Sequence, residues 1–237
     1  HIPCEVKKFP DGETYLRIPA PVEGEPVILV QSTAYSPNEA LIETVFASVT
    51  ARELGATSVV GVFPYLPYAR QDSRFKPGES ISLLISSKML VEAGIGKIFT
   101  VDAHLHRFKS LDEVFHVPTY NLTAMPLLAR YVAKNFSLCD PFIVGPDEEA
   151  VQWAELAANV LHAPFTTLEK KRISAHEVQL RVPETINVDG RDVLLVDDIV
   201  STGGTMVAAI KALRKAGAKR IIAACTHALL IGEALYK

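Results

Sequence analysis

The chain has 237 residues, 49% of them hydrophobic and 22% charged, with a formal net charge of −3. This is a globular balance, with length for one large domain or two ordinary ones, and it excludes the general basic field of a protein that coats long nucleic acid. No apolar run reaches the roughly 18 to 20 residues of a membrane-spanning helix, and the scattered cysteines Cys4, Cys139 and Cys225 form no metal-ligand pair, so a cytoplasmic protein is expected.

The chain opens on His1 rather than methionine, and its natural start is expected to precede that residue. The first predicted element is a hairpin around Lys8-Phe9-Pro10-Asp11-Gly12-Glu13, turning at Asp-Gly. Short apolar runs follow at Val27–Val30, Val59–Phe63, Ile98–Val101, Phe142–Gly145, Val193–Val196 and Ile221–Cys225. Most lack alternation, which predicts buried parallel strands covered by helices on both faces. A helix is predicted from Ser36, with Pro37 in the first turn and Glu39 completing a capping box. It continues through Leu41, Val45, Phe46 and Val49 and stops near Gly55. Another runs from about Thr205 through Val207, Ile210 and Leu213 to Gly217. Alternating strands and helices predict an α/β fold with mainly parallel sheets.

Two stretches repeat one plan of strand, polar loop, helix, glycine and strand. VILVQSTAYSPNEA leads to LGATSVVGVF, and VLLVDDIVSTGGTM leads to AGAKRIIAAC. The repeat suggests a duplicated α/β domain, with units at 1–138 and 139–237. Ligands of such sheets bind at the carboxyl ends of strands. The residues standing there are Gln31 and Ser32, Asp102 and His104, Asp147, and Asp197 with Asp198.

The last of these opens the string Asp197-Asp198-Ile199-Val200-Ser201-Thr202-Gly203-Gly204-Thr205. Gly203 and Gly204 allow a tight turn that aims successive N–H groups at a phosphate beside a helix start, while Ser201, Thr202 and Thr205 add hydroxyl donors. Two carboxylates would repel a phosphate, so they suit another part of the ligand, vicinal sugar hydroxyls met directly or through magnesium.

This string resembles the phosphoribosyl pyrophosphate (PRPP) signature shared by type I phosphoribosyltransferases and ribose-phosphate pyrophosphokinases. The resemblance implies two phosphoribosyltransferase-like α/β domains. It also implies that Asp197 and Asp198 hold the ribose hydroxyls and that Ser201, Thr202, Gly203, Gly204 and Thr205 hold the 5-phosphate. Four further segments resemble the pyrophosphokinases, the archaeal members above all. Phe9, Asp11 and Glu13 match a loop that contacts the ATP base from a neighbouring subunit, implying a homo-oligomer of at least two copies. Arg70, Gln71 and Asp72 match residues that lie along ATP. His104 matches a histidine at the ATP phosphates and their Mg2+, and Asp147 matches a magnesium ligand. Lys170 and Arg172 match a mobile catalytic flap hinged on a hairpin, in which 173–177 is a polar stretch and Val178–Val182 is strand-like.

Leu105-His106-Arg107-Phe108 departs from the common bacterial and animal pattern, so phosphate activation and ADP inhibition are not carried over. Further elements are expected before His1 and after Lys237. The implied reaction converts ATP and ribose 5-phosphate into PRPP and AMP, and no Gly-x-x-x-x-Gly-Lys-Ser/Thr loop is present. The alternatives are a phosphoribosyltransferase that consumes PRPP and a catalytically silent regulatory subunit.

Overall fold

A computed structural model describes residues 2, 4–105, 107–172 and 178–236, with only the backbone at 170–172, 178 and 179. The chain divides into two compact units, residues 1–122 and 123–237. In the first, strands β1 (Glu5–Lys8) and β2 (Thr14–Arg17) form an antiparallel hairpin. Then come β3 (Pro26–Val30), α1 (Pro37–Glu53), β4 (Ser58–Phe63), α2 (Ser82–Glu92), β5 (Ile95–Val101), α3 (Asp112–Phe115) and β6 (Thr119–Leu122). Strands β3-β4-β5-β6 make a wholly parallel sheet in that order.

The second unit holds α4 (Met125–Asn135), β7 (Phe142–Gly145), a 3-10 turn at Glu148–Ala150, α5 (Val151–Leu161) and β8 (Phe165–Thr167). After these come β9 (Glu169–Arg172), β10 (Val178–Arg181), β11 (Asp192–Val200), α6 (Gly204–Lys215) and β12 (Arg220–Ala228). Its parallel sheet runs β12-β11-β7-β8, and β9 and β10 pair as a separate antiparallel hairpin.

All six predicted strands are present, and both units are α/β with parallel sheets. The division falls after Leu122 rather than at 138, because α4 packs on α5 and β12. Met125, Ala129 and Val132 are buried with Trp153, Ala157 and Leu194 in one core. Burying those three side chains contributes on the order of several kcal/mol to the second unit.

Three sequence expectations need correction. Ser36 occupies the N-cap of α1, yet its hydroxyl makes no cap bond. Pro37 leaves one backbone donor fewer to satisfy, and Glu39 reaches Lys8 at 3.1 Å instead. The buried face of α1 is Ala40, Leu41, Thr44, Ala47, Ser48 and Ala51, while Phe46 and Val49 are exposed. Burial on both sheet faces holds for β7 and the core of β11 but not for β3, whose alternate residues Ile28 and Val30 are 64% and 68% exposed, nor for β12, in which no residue is buried.

Candidate functional site

In the second unit the sheet core Val193–Val196 is fully buried, and β11 continues past it through Val200. The strand therefore carries the acidic pair into the sheet, with Asp197 opposite Cys225 and Ile199 opposite His227. Asp198 is 1% exposed and Asp197 is partly exposed. The Asp198 N–H donates to Asp197 Oδ1 at 3.0 Å. Burial first, then the charge of Asp198, a hydrogen bond between the two carboxyl groups and the charge of Asp147 push Asp197 up to about 8. Acids crowded in this way suit a ligand that brings hydroxyl donors or positive charge. Burial, with Asp197 as the leading charge, also pushes the Cys225 thiol up to about 11, which leaves it un-ionised and poorly nucleophilic.

The loop leaves β11 at Ser201 and enters α6 through Gly203, the N-cap residue, with φ +76°. A side chain there would be strained. A Cβ on Gly204 would meet nothing nearer than Thr202 Oγ1 at 3.9 Å, so a ligand can approach the backbone. Thr202, Gly204 and Thr205 are exposed. No acidic residue stands in the first turn of α6, whereas Arg214 and Lys215 stand in the last, so the positive end of the helix dipole faces the loop uncancelled. The loop is fixed from its other side. Val200 O accepts from the N–H groups of Leu229 and Leu230 at 3.0 and 3.1 Å, and Ser201 O accepts from Ile231 N–H at 2.9 Å.

Asp147 follows β7, the neighbour of β11, and its Oδ1 accepts from Glu149 N–H at 3.2 Å. The backbone of Lys170 and Arg172 lies in β9, paired with Leu180 and Val178 of β10. Their side chains and residues 173–177 lie outside the described residues. The hairpin's base is anchored, since Leu180 packs on the core containing Leu168, Met206 and Leu213. Arg181 also pairs with Glu169 across the strands and with Glu184.

In the first unit the β1–β2 turn closes through Phe9 N–H to Glu13 O at 2.8 Å and Gly12 N–H to Phe9 O at 2.9 Å. Glu13 N–H donates to Asp11 Oδ1, and Gly12 has φ +93°. Phe9 is half-exposed and meets Tyr15 edge-on. After β4, Arg70 is exposed, while the Gln71 side-chain amide ties its own loop by donating to Ser73 O and Ser80 O. Asp72 is buried, and Arg107 Nη1 donates to its Oδ1 at 2.5 Å. His104 is partly buried just past β5, beyond Asp102, which is buried with φ +42°.

Arg107 is the residue that sequence reasoning passed over. Its segment departs from a family pattern, and the long-range pairing with Asp72 leaves no local signal in the sequence. Among the described residues, no group of three or more His, Cys, Asp or Glu converges on a metal. Mg2+ commonly takes one or two carboxylates and completes its shell with water and substrate phosphates. Asp147, whose charge reaches Asp197, fits the one or two carboxylates that such an ion takes from protein.

Residues 110–234 match the family model for a phosphoribosyl transferase domain, which gives the class of the second unit. Residues 1–94 match the family model for the N-terminal domain of ribose phosphate pyrophosphokinase. The ribose-phosphate pyrophosphokinase of Methanothermobacter thermautotrophicus is 43% identical over 99% of this chain and 80% of its own length. Ribose-phosphate pyrophosphokinase 1 of Archaeoglobus fulgidus is 41% identical over 98% and 78%. The crystal structure of phosphoribosylpyrophosphate synthetase from Mycobacterium smegmatis superimposes with a TM-score of 0.87 at 29% identity, covering 98% of this chain and 75% of that one. The chain belongs to the ribose-phosphate pyrophosphokinase family.

Proposed function

We propose that the chain transfers the pyrophosphoryl group of ATP to the 1-hydroxyl of ribose 5-phosphate, giving PRPP and AMP. The observation that carries this reading is the Asp197–Thr205 loop. It sets two adjacent acids on a strand end beside a glycine-lined helix N-terminus free of first-turn acids. The acids take the ribose hydroxyls, and Ser201 to Thr205 take the 5-phosphate.

The sugar's 1-oxygen attacks the β-phosphorus of ATP, the bond from that phosphorus to the bridging oxygen of the α-phosphate breaks, and AMP leaves. The hydroxyl proton passes to solvent, and no side chain is assigned as general base. In such transfers the protein mainly positions groups and neutralises charge. Lys170 and Arg172, carried on the β9–β10 hairpin, are assigned to the transferring group. Arg70, Gln71, Asp72 and His104 are assigned to the ATP side of the first unit, with Gln71 acting by shaping its loop. Mg2+ is the expected ion, with His104 and Asp147, each at a strand end of its own unit, as the candidate protein ligands. When bound with the polyphosphate it offsets the charge that builds on the phosphate oxygens.

Phe9, Asp11 and Glu13, on an exposed turn, are assigned to a neighbouring copy's ATP site in a homo-oligomer of at least two chains. Among the described residues no helix is long and apolar enough to cross a membrane, and a cytoplasmic setting accords with that. The test is to supply ATP, magnesium and ribose 5-phosphate and separate the products by ion exchange. AMP and PRPP forming together, and only with both substrates present, supports the reading. Tight PRPP binding without AMP formation points to a transferase or a silent subunit.

A further inference from the structure

The first unit holds a carboxylate, assigned above to the ATP side, that is too deeply buried to meet a nucleotide directly. Asp72 lies in the loop after β4, and its side chain is 1% exposed. Its Oδ1 accepts from Arg107, yet its Oδ2 is buried with no hydrogen-bond partner. Leaving a carboxylate oxygen without a partner in the interior is unfavourable, and this one is retained at the price of an orphaned acceptor. Arg107, in the loop after the neighbouring strand β5, is held a second time: its guanidinium lies over the Phe75 ring at 5.0 Å. Phe75 is itself fixed, since Glu79 Oε2 accepts from the N–H groups of Phe75 and Lys76 at 2.8 and 3.0 Å.

For all this anchoring, the Arg107 side chain remains 51% exposed. A long cationic side chain on a surface ordinarily samples many rotamers. Here a buried acid and an aromatic face hold it still, with the remaining edge of a planar five-donor fork turned to solvent. The place is the carboxyl edge of a parallel sheet, where ligands of such folds bind. A fixed guanidinium suits paired oxygens, and phosphate oxygens above all.

We propose that Arg107 contacts the polyphosphate of the nucleotide, and that Asp72 acts through Arg107 as a positioning residue instead of touching the nucleotide itself. This rests on the reading of the first unit as the ATP side. The preformed fork removes ordering that binding would otherwise have to supply.

The test measures binding of ATP, inorganic tripolyphosphate and ribose 5-phosphate to the full chain and to Arg107→Ala, Arg107→Lys, Asp72→Asn and the double variant Asp72→Asn/Arg107→Ala. Arg107→Ala should weaken ATP and tripolyphosphate alike by at least about tenfold and leave ribose 5-phosphate unchanged. Lysine should recover only part of the loss, because it lacks the planar fork. Asp72→Asn should weaken ATP severalfold, and the double variant should bind no worse than Arg107→Ala alone, the mark of residues acting as one unit. A purely structural Asp72 would instead lower Tm and add its effect to that of Arg107→Ala. Tripolyphosphate binding within twofold of wild type in Arg107→Ala overturns the proposal, whether or not ATP binding falls. A wild-type protein that forms no AMP from both substrates overturns the parent reading instead, so the two failures are distinguishable.

Discussion

The loop after β3 and the loop after β11 join the same parts, a parallel strand and a helix that leads to the adjacent parallel strand. They differ in what they leave open. In the first, Thr33 donates to Tyr65 O, Gln31 donates to Glu43, and proline occupies the helix start with Glu39 in the first turn. Each feature spends or cancels a donor that an anion would need. In the second, Gly203 is in the αL conformation, Gly204 leaves open space where a side chain would sit, and no acid stands in the helix's first turn. One scaffold thus gives a closed structural corner in one unit and, in the other, the open loop proposed to cradle the 5-phosphate.

The strongest way to break the comparison is to convert the second loop into the first. Gly203→Ser with Gly204→Pro forces a side chain into positive φ and deletes an N–H, and should weaken ribose 5-phosphate binding by about a hundredfold or more in calorimetric titration. Lys170→Ala sharpens it by separating grip from transfer. Turnover should fall on the order of a hundredfold while ribose 5-phosphate affinity stays at the wild-type value; turnover near wild type would remove the flap assignment.

How much of this was legible beforehand differs between the loops as well. Asp197 to Thr205 declared itself because the chemistry is local: acids, hydroxyls and glycines adjacent in sequence make adjacent groups in space. The six strands were legible from apolar runs, and the βαβ repeat from its punctuation. The buried face of α1 was not. Its large residues Phe46 and Val49 point outward, and small ones, Ala47, Ser48 and Ala51, pack inward, where close approach counts for more than hydrophobicity. Arg107 was invisible for a different reason, since its meaning depends on Asp72, 35 positions away.

The next effect is smaller and depends on pH. Asp197 is raised in the folded chain, so between its unfolded value near 3.8 and its folded value of about 8 the native state holds more protons. Stability must then fall as pH rises through that window. Asp197→Asn removes the dependence. Its Tm should match wild type near pH 4 and exceed it by roughly a few degrees at pH 8.5, although activity is lost. Equal melting curves at both pH values would contradict the crowding of acids. The smallest effect belongs to the closed corner. Thr33→Val leaves Tyr65 O without its 2.5 Å hydroxyl partner and should cost about 1 to 2 kcal/mol in denaturant unfolding, with ribose 5-phosphate affinity unaltered.

The three N–H groups of Leu229, Leu230 and Ile231 that hold Val200 and Ser201 have a thermodynamic consequence. A cradle tied down before its ligand arrives loses little conformational entropy on binding, so ribose 5-phosphate capture should be governed by heat released to the phosphate and hydroxyl contacts. It also places the control of that capture outside the cradle. On the proposed ribose role, any opening of 229–231 that hydrogen exchange detects also opens the loop, and exchange at those three amides should slow when sugar phosphate is bound.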